Sequence, residues 1–89
     1  MKAVQLYVKG KVQGVFYRAS TVDVAKKLGV TGWVKNQPDG SVKIHAQGSV
    51  TAIDELILWA WQGPKNAKVT AVDTVVVAAD DFVTFNVLR

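Results

Sequence analysis

The sequence predicts an α+β sandwich in the order β-α-β-β-α-β, an antiparallel sheet with two helices on one face. Three observations lead there. Short stretches alternate apolar with polar residues at period two, the pattern of half-buried strands. Two longer stretches carry apolar residues at helical spacing. Glycine, proline and aspartate cluster between these stretches rather than inside them. At 89 residues the chain is read as one domain, 1–89, because two would each be too small to enclose a core.

Val4, Leu6 and Val8 alternate with Gln5, Tyr7 and Lys9, giving a first strand, and a glycine-containing loop runs from Gly10 to about Tyr17. Ser20-Thr21-Val22-Asp23 places a hydroxyl three residues before a carboxylate, a capping-box pattern. Val22, Ala25 and Leu28 share a helical face, Lys26 and Lys27 sit where the helix C-terminus tolerates positive charge, and Gly29 is a natural stop. The first helix is therefore expected over 19–28. Residues 30–36 form a second strand, and Gln37-Pro38-Asp39-Gly40 is a turn. Val42, Ile44 and Ala46 alternate with Ser41, Lys43, His45 and Gln47, so a third strand closes an antiparallel hairpin. Thr51 and Asp54 offer a second capping box. Ile53, Leu56, Ile57, Ala60 and Trp61 line one face of a second helix ended by Gly63-Pro64, with Trp59 assigned to an edge. The β-branched run 69–77 and the alternating Val83, Phe85 and Val87 supply two closing strands, and Asp80-Asp81 reads as a turn between them. This order is the split β-α-β of the ferredoxin-like fold.

Composition removes several classes of chemistry. A hydrophobic share of 49% against 20% charged residues describes a packed core rather than disorder. Zero cysteines excludes disulfides, thiolate nucleophiles and cysteine-ligated zinc or iron–sulfur centres. His45 is the one histidine and is read as a solvent-side strand residue, without a second histidine to share a metal. The N-terminus lacks a secretory apolar run and no stretch is long enough to span a membrane. A cytoplasmic, monomeric protein without membrane contact is the expectation. A net charge of +4 favours anionic partners without choosing among them.

One loop does choose. Gly10-Lys11-Val12-Gln13-Gly14-Val15-Phe16-Tyr17-Arg18 joins a strand to a helix N-terminus. Its glycines let the backbone bend closely around a ligand, and successive N–H groups in such a turn can point inward as an anion nest. The helix start adds partial positive charge. Arg18 there opposes the helix dipole, an arrangement that makes sense with an anion between them, and its planar fork matches two phosphate oxygens. The Gly-Lys-Ser/Thr ending of a Walker loop and the three-glycine dinucleotide fingerprint are both missing, so neither magnesium nor a nucleotide is called for.

These residues carry a resemblance. Gly10 to Arg18 resembles the first signature of the acylphosphatase family, Gly-x-Val-Gln-Gly-Val-x-(Phe/Met)-Arg. Gly32-Trp33-Val34-Lys35-Asn36, followed by Gly40, Val42 and Gly48, is similar to its second signature, and Gly63-Pro64 with Ala67 and Val69 to the stretch after its second helix. The resemblance implies a cofactor-free, metal-free hydrolase that cleaves the carboxyl–phosphate bond of acyl phosphates. It implies that Arg18, with the backbone amides of Gln13, Gly14, Val15, Phe16, Tyr17 and Arg18, holds the phosphoryl oxygens, and that Asn36 orients the attacking water. Tyr17 departs from the Phe or Met usual before the arginine, and Thr84 to Arg89 match the family loosely.

Two rival functions differ in class. The fold also hosts RNA readers, which place stacking aromatics on the sheet. Here the third strand presents Ser41, Lys43, His45 and Gln47, so nucleic acid is disfavoured even though Tyr7 and Trp33 are candidate sheet-face aromatics. A regulatory domain of the same type within a larger enzyme is the other rival, and the length of 89 residues favours a free-standing enzyme. Acyl phosphate and inorganic phosphate are thus the expected small-molecule partners.

Overall fold

In the computed structural model residues 1–88 are described, and Arg89 lies outside them. Strand β1 (Lys2–Lys11) leads to helix α1 (Tyr17–Leu28), the hairpin β2 (Thr31–Asn36) and β3 (Val42–Gly48), helix α2 (Val50–Gln62), β4 (Lys68–Val76) and a short β5 (Phe85–Val87). The strands form one sheet in the order β4-β1-β3-β2-β5. β1 pairs antiparallel with β3 and β4, and β2 with β3. β5 pairs parallel with β2, setting Phe85, Asn86 and Val87 beside Gly32, Trp33 and Val34. The sheet is therefore mixed where an antiparallel one was expected, because the final strand returns to the far edge instead of extending from β4.

One face of every central strand supplies the core. Val4, Leu6 and Val8 of β1, Val34 of β2, and Val42, Ile44 and Ala46 of β3 are buried with Tyr17 and Ala25 of α1 and Ile53, Leu56 and Ala60 of α2. Both helices thus share one face of the sheet, as period-two and period-3.6 patterning require. Full burial of a valine, leucine or isoleucine in such a layer contributes about 1.5–3 kcal/mol.

The helix ends correct several expectations. α1 begins at Tyr17 rather than 19, and its N-cap is Phe16, held at φ 65° with no side-chain cap. Ser20 lies inside the first turn, where it cannot cap, so the capping box is not formed. The C-terminus is a Schellman motif: Val30 N–H donates to the Ala25 carbonyl at 2.9 Å and Gly29 N–H to Lys26 at 3.2 Å, with Gly29 at φ 73°. At α2 the cap is Ser49, whose hydroxyl accepts from Ala52 N–H at 3.1 Å. This helix therefore starts before Thr51. Trp59 and Trp61 exchange their assigned roles. Trp59 packs on the Tyr17 ring at 5.3 Å, while Trp61 is 50% exposed.

His45 also differs from expectation. It faces away from the helices yet is only 5% exposed, because the chain after β4 folds back across that face. Its ring lies between Trp33 (centroids 5.8 Å) and Phe82 (5.1 Å). Nδ1 meets the Gln5 amide at 3.3 Å and Nε2 meets Gln47 Oε1 at 3.1 Å, a set satisfied by the proton on Nε2. Gln47 in turn clasps the Asp80 backbone, donating to its carbonyl at 2.6 Å and accepting from its N–H at 3.0 Å. Asp80 is thus the anchor of a strap rather than a turn residue alone. Among the described residues no helix is long and apolar enough to cross a membrane.

Candidate active site

The loop between β1 and α1 is shaped by two residues of left-handed backbone, Gly14 at φ 74° and Phe16 at φ 65°, with Val15 between them. Alternation of this kind turns successive amides toward one concave side, the geometry of an anion nest. The loop runs straight into α1, where Ser20 N–H is the first to bond inside the helix, donating to Phe16 at 3.0 Å. With no side-chain cap, the amides of Tyr17, Arg18 and Ala19 are the helix's uncapped N-terminal donors. The predicted set of amides ends at Arg18. The earlier helix start brings Ala19 into the same position, which the sequence conceals because Ser20 mimics a cap.

Arg18 and Asn36 come from different elements, the first turn of α1 and the last residue of β2. They line one cleft of about 350 Å³, together with Val12, Gly14, Phe16, Tyr17, Ala19 and Val87. Gln13 and Val15, also in the predicted set, belong to the loop but not to the cleft wall. Arg18 makes no ion pair or hydrogen bond with the described residues. Asn36 Oδ1 is buried and accepts no hydrogen bond from them. A buried carbonyl oxygen without a donor costs about 1–3 kcal/mol, so its presence in the cleft that Arg18 also lines suits a ligand that brings a donor.

Three further residues hold this geometry, and the sequence reading assigned them no such part. The Gln13 side-chain amide donates to the carbonyls of Gln37 (2.8 Å) and Ser41 (2.9 Å), fastening the loop to the turn that follows Asn36. That turn is braced by Asp39 Oδ1, which accepts from Ser41 Oγ (2.6 Å) and Ser41 N–H (2.9 Å). The Ser41 hydroxyl and then its amide hold the Asp39 carboxyl below its usual range. Tyr17, buried beside Arg18, donates its hydroxyl to the Ala60 carbonyl of α2 at 2.7 Å. Burial raises its phenol well above the ordinary tyrosine range, so it stays protonated. A glutamine inside a glycine-rich run and a turn Asp–x–Ser were the signals available, and both are common enough in ordinary turns to pass unnoticed. Among the described residues no group of three or more His, Asp or Glu side chains stands close enough to hold a metal.

A ferredoxin-like sandwich in which a helix N-terminus without a side-chain cap, the Arg18 guanidinium and the buried Asn36 Oδ1 meet at one cleft is suited to an anionic ligand. Comparison with known proteins narrows the class. Residues 4–87 match the acylphosphatase family model, and the chain belongs to that family. It is 47% identical over 90 residues to an acylphosphatase of Methylococcus capsulatus, covering 100% of this chain and 98% of that one. Among solved structures, an acylphosphatase from Coxiella burnetii superposes with a TM-score of 0.95 at 39% identity, over 98% of this chain and 92% of that one. One from Bacillus subtilis superposes at 0.97 and 30% identity over the full length of both. The family implies hydrolysis of acyl phosphates.

Proposed function

We infer that the protein, as one domain over 1–89, hydrolyses acyl phosphates to carboxylate and inorganic phosphate without a metal or other cofactor, acting as a cytoplasmic monomer. The observation that carries this reading is that one cleft is lined both by Arg18, which has no partner among the described residues, and by Asn36, whose buried Oδ1 has none among them either. The phosphoryl oxygens sit in the nest of amides from Gln13 to Arg18 and take two N–H donors from the guanidinium. Asn36 Oδ1 accepts one O–H of a water and aims its oxygen at phosphorus. As the water's O–P bond forms, the bridging P–O bond breaks and its electron pair leaves on the carboxylate. The water's proton passes to a phosphoryl oxygen, giving dihydrogen phosphate.

The chemistry needs little else. A carboxylate is a good leaving group, so no general acid is required, and rate comes from positioning and from charge stabilisation by preorganised donors. The sole histidine is committed to the opposite face of the sheet, against Trp33 and Phe82. Among the described residues no His, Asp, Glu or Lys lines the cleft, so a flat kcat profile through neutral pH is the expected signature. Arg18→Ala tests the phosphate site directly. Inhibition by inorganic phosphate should vanish and kcat/KM fall on the order of a thousandfold. Phosphate inhibition of wild-type strength in this variant would contradict the assignment.

A further inference from the structure

The cleft is larger than its phosphate. At about 350 Å³ it falls in the size range of small-molecule pockets, and a phosphoryl group leaves most of it unfilled. Beyond Arg18 and Asn36, Val12, Phe16, Ala19 and Val87 line it with hydrocarbon, beside Gly14 and a Tyr17 whose hydroxyl is engaged by the Ala60 carbonyl. Among the described lining residues Arg18 is the one cation, and it is taken up by the phosphate in the reading above. The remainder of a bound substrate therefore meets hydrocarbon.

Phe16 is the unusual member. A bulky aromatic residue at φ 65° is a backbone outlier that costs on the order of 1–3 kcal/mol. The residue is also 79% exposed, so folding recovers little by packing it. Glycine would supply the same left-handed turn without strain, as it does two residues earlier at Gly14. A side chain held under both penalties at the rim of a reactive cleft is placed for a ligand. With the phosphoryl group held at Arg18, the apolar lining and the Phe16 rim are what the cleft offers to the rest of an acyl phosphate.

We propose that Phe16 forms an acyl-binding platform that makes the protein select acyl phosphates with aromatic or branched apolar acyl groups over small or charged ones. The inference rests on the acyl phosphate reading and adds the substrate class to it. Stacking of a planar acyl group on the ring, with Ala19 and Val87 closing the sides, buries apolar surface that acetyl phosphate cannot fill.

The test compares kcat/KM for benzoyl phosphate and acetyl phosphate in wild type, Phe16→Asn and Phe16→Tyr. Asparagine tolerates left-handed backbone and so keeps the loop's shape while removing the ring; tyrosine keeps the ring. The benzoyl-to-acetyl ratio is internal to each variant, so damage to the phosphate loop lowers both substrates and leaves the ratio alone. The ratio should fall about tenfold in Phe16→Asn and recover in Phe16→Tyr. A ratio unchanged in Phe16→Asn, with both substrates still hydrolysed, overturns the platform and leaves the hydrolase reading intact. A folded wild type that hydrolyses neither substrate overturns both.

Discussion

Tyr17→Phe removes a single oxygen at the junction of the two helices. In α2 the Ala60 carbonyl would normally accept from the N–H of residue 64, but Pro64 has none. Gly63 N–H, the next nearest, donates to Trp59 at 2.7 Å. The Tyr17 hydroxyl fills the gap, donating to Ala60 at 2.7 Å. The family's more frequent Phe or Met at this position carries no such donor, so here the tyrosine serves this chain's own helix end. The substitution leaves the ring on Trp59 and strands a buried carbonyl, which costs about 1–3 kcal/mol. Taking about 1.5 kcal/mol and about 4–8 °C per kcal/mol for a domain of this size, Tm should fall by about 6–12 °C. Urea titration followed by tryptophan fluorescence and a thermal melt followed by circular dichroism give the two numbers.

The pH dependence adds a second reading of the same hydroxyl. Burial raises the phenol's pKa in the folded state, while the unfolded chain ionises near pH 10. The raised value means that the folded state holds the proton longer, so the contribution is complete below about pH 10 and is lost as pH rises above it. Each further pH unit removes about 1.4 kcal/mol from the wild type and nothing from Tyr17→Phe. The stability gap between them should therefore be constant at neutral pH and nearly closed by about pH 11. A gap under about 0.5 kcal/mol at neutral pH, or one that persists unchanged to pH 11, refutes the reasoning.

Gln13→Leu deletes both donors that tie the phosphate loop to the turn after Asn36. We expect about 1–3 kcal/mol of lost stability in denaturant titration, and kcat lower by about tenfold as the two halves of the site drift apart. Gly32→Ala drives a Cβ into the His45 carbonyl across the hairpin and places alanine at φ 138°. It should cost about 3 kcal/mol or more, read as a collapsed Tm, whereas Gly14→Ala meets no neighbour and pays only for its φ of 74°.

Much of this architecture was written in local pattern. Alternation placed β1, β3 and the hairpin, and Gly63-Pro64 ended α2 where the structure ends it. The signatures brought Arg18 and Asn36 forward, and the fold sets both on one cleft. What escaped depends on contacts between distant segments. His45 alternates like a solvent residue, and only the return of Asp80 and Phe82 across the sheet buries it. Trp59 and Trp61 cannot be ranked by helical spacing alone, since the decision rests on where Tyr17 projects. The start of α1 was misplaced because Ser20 and Asp23 imitate a capping box, while the true N-cap is a phenylalanine in a conformation that sequence does not announce. The parallel pairing of β5 likewise follows from the long return after β4, not from its three residues.

The central claim is that Asn36 places water on a phosphate held by Arg18 and the loop, with no metal taking part. The most direct measurement is benzoate release from benzoyl phosphate in EDTA by wild type and Asn36→Ala, with the inhibition constant for inorganic phosphate determined on both. The account predicts rapid hydrolysis by the wild type, a fall on the order of a hundredfold in kcat for the variant, and a phosphate inhibition constant little changed. Full activity in Asn36→Ala, or activity in the wild type that EDTA abolishes, would contradict it.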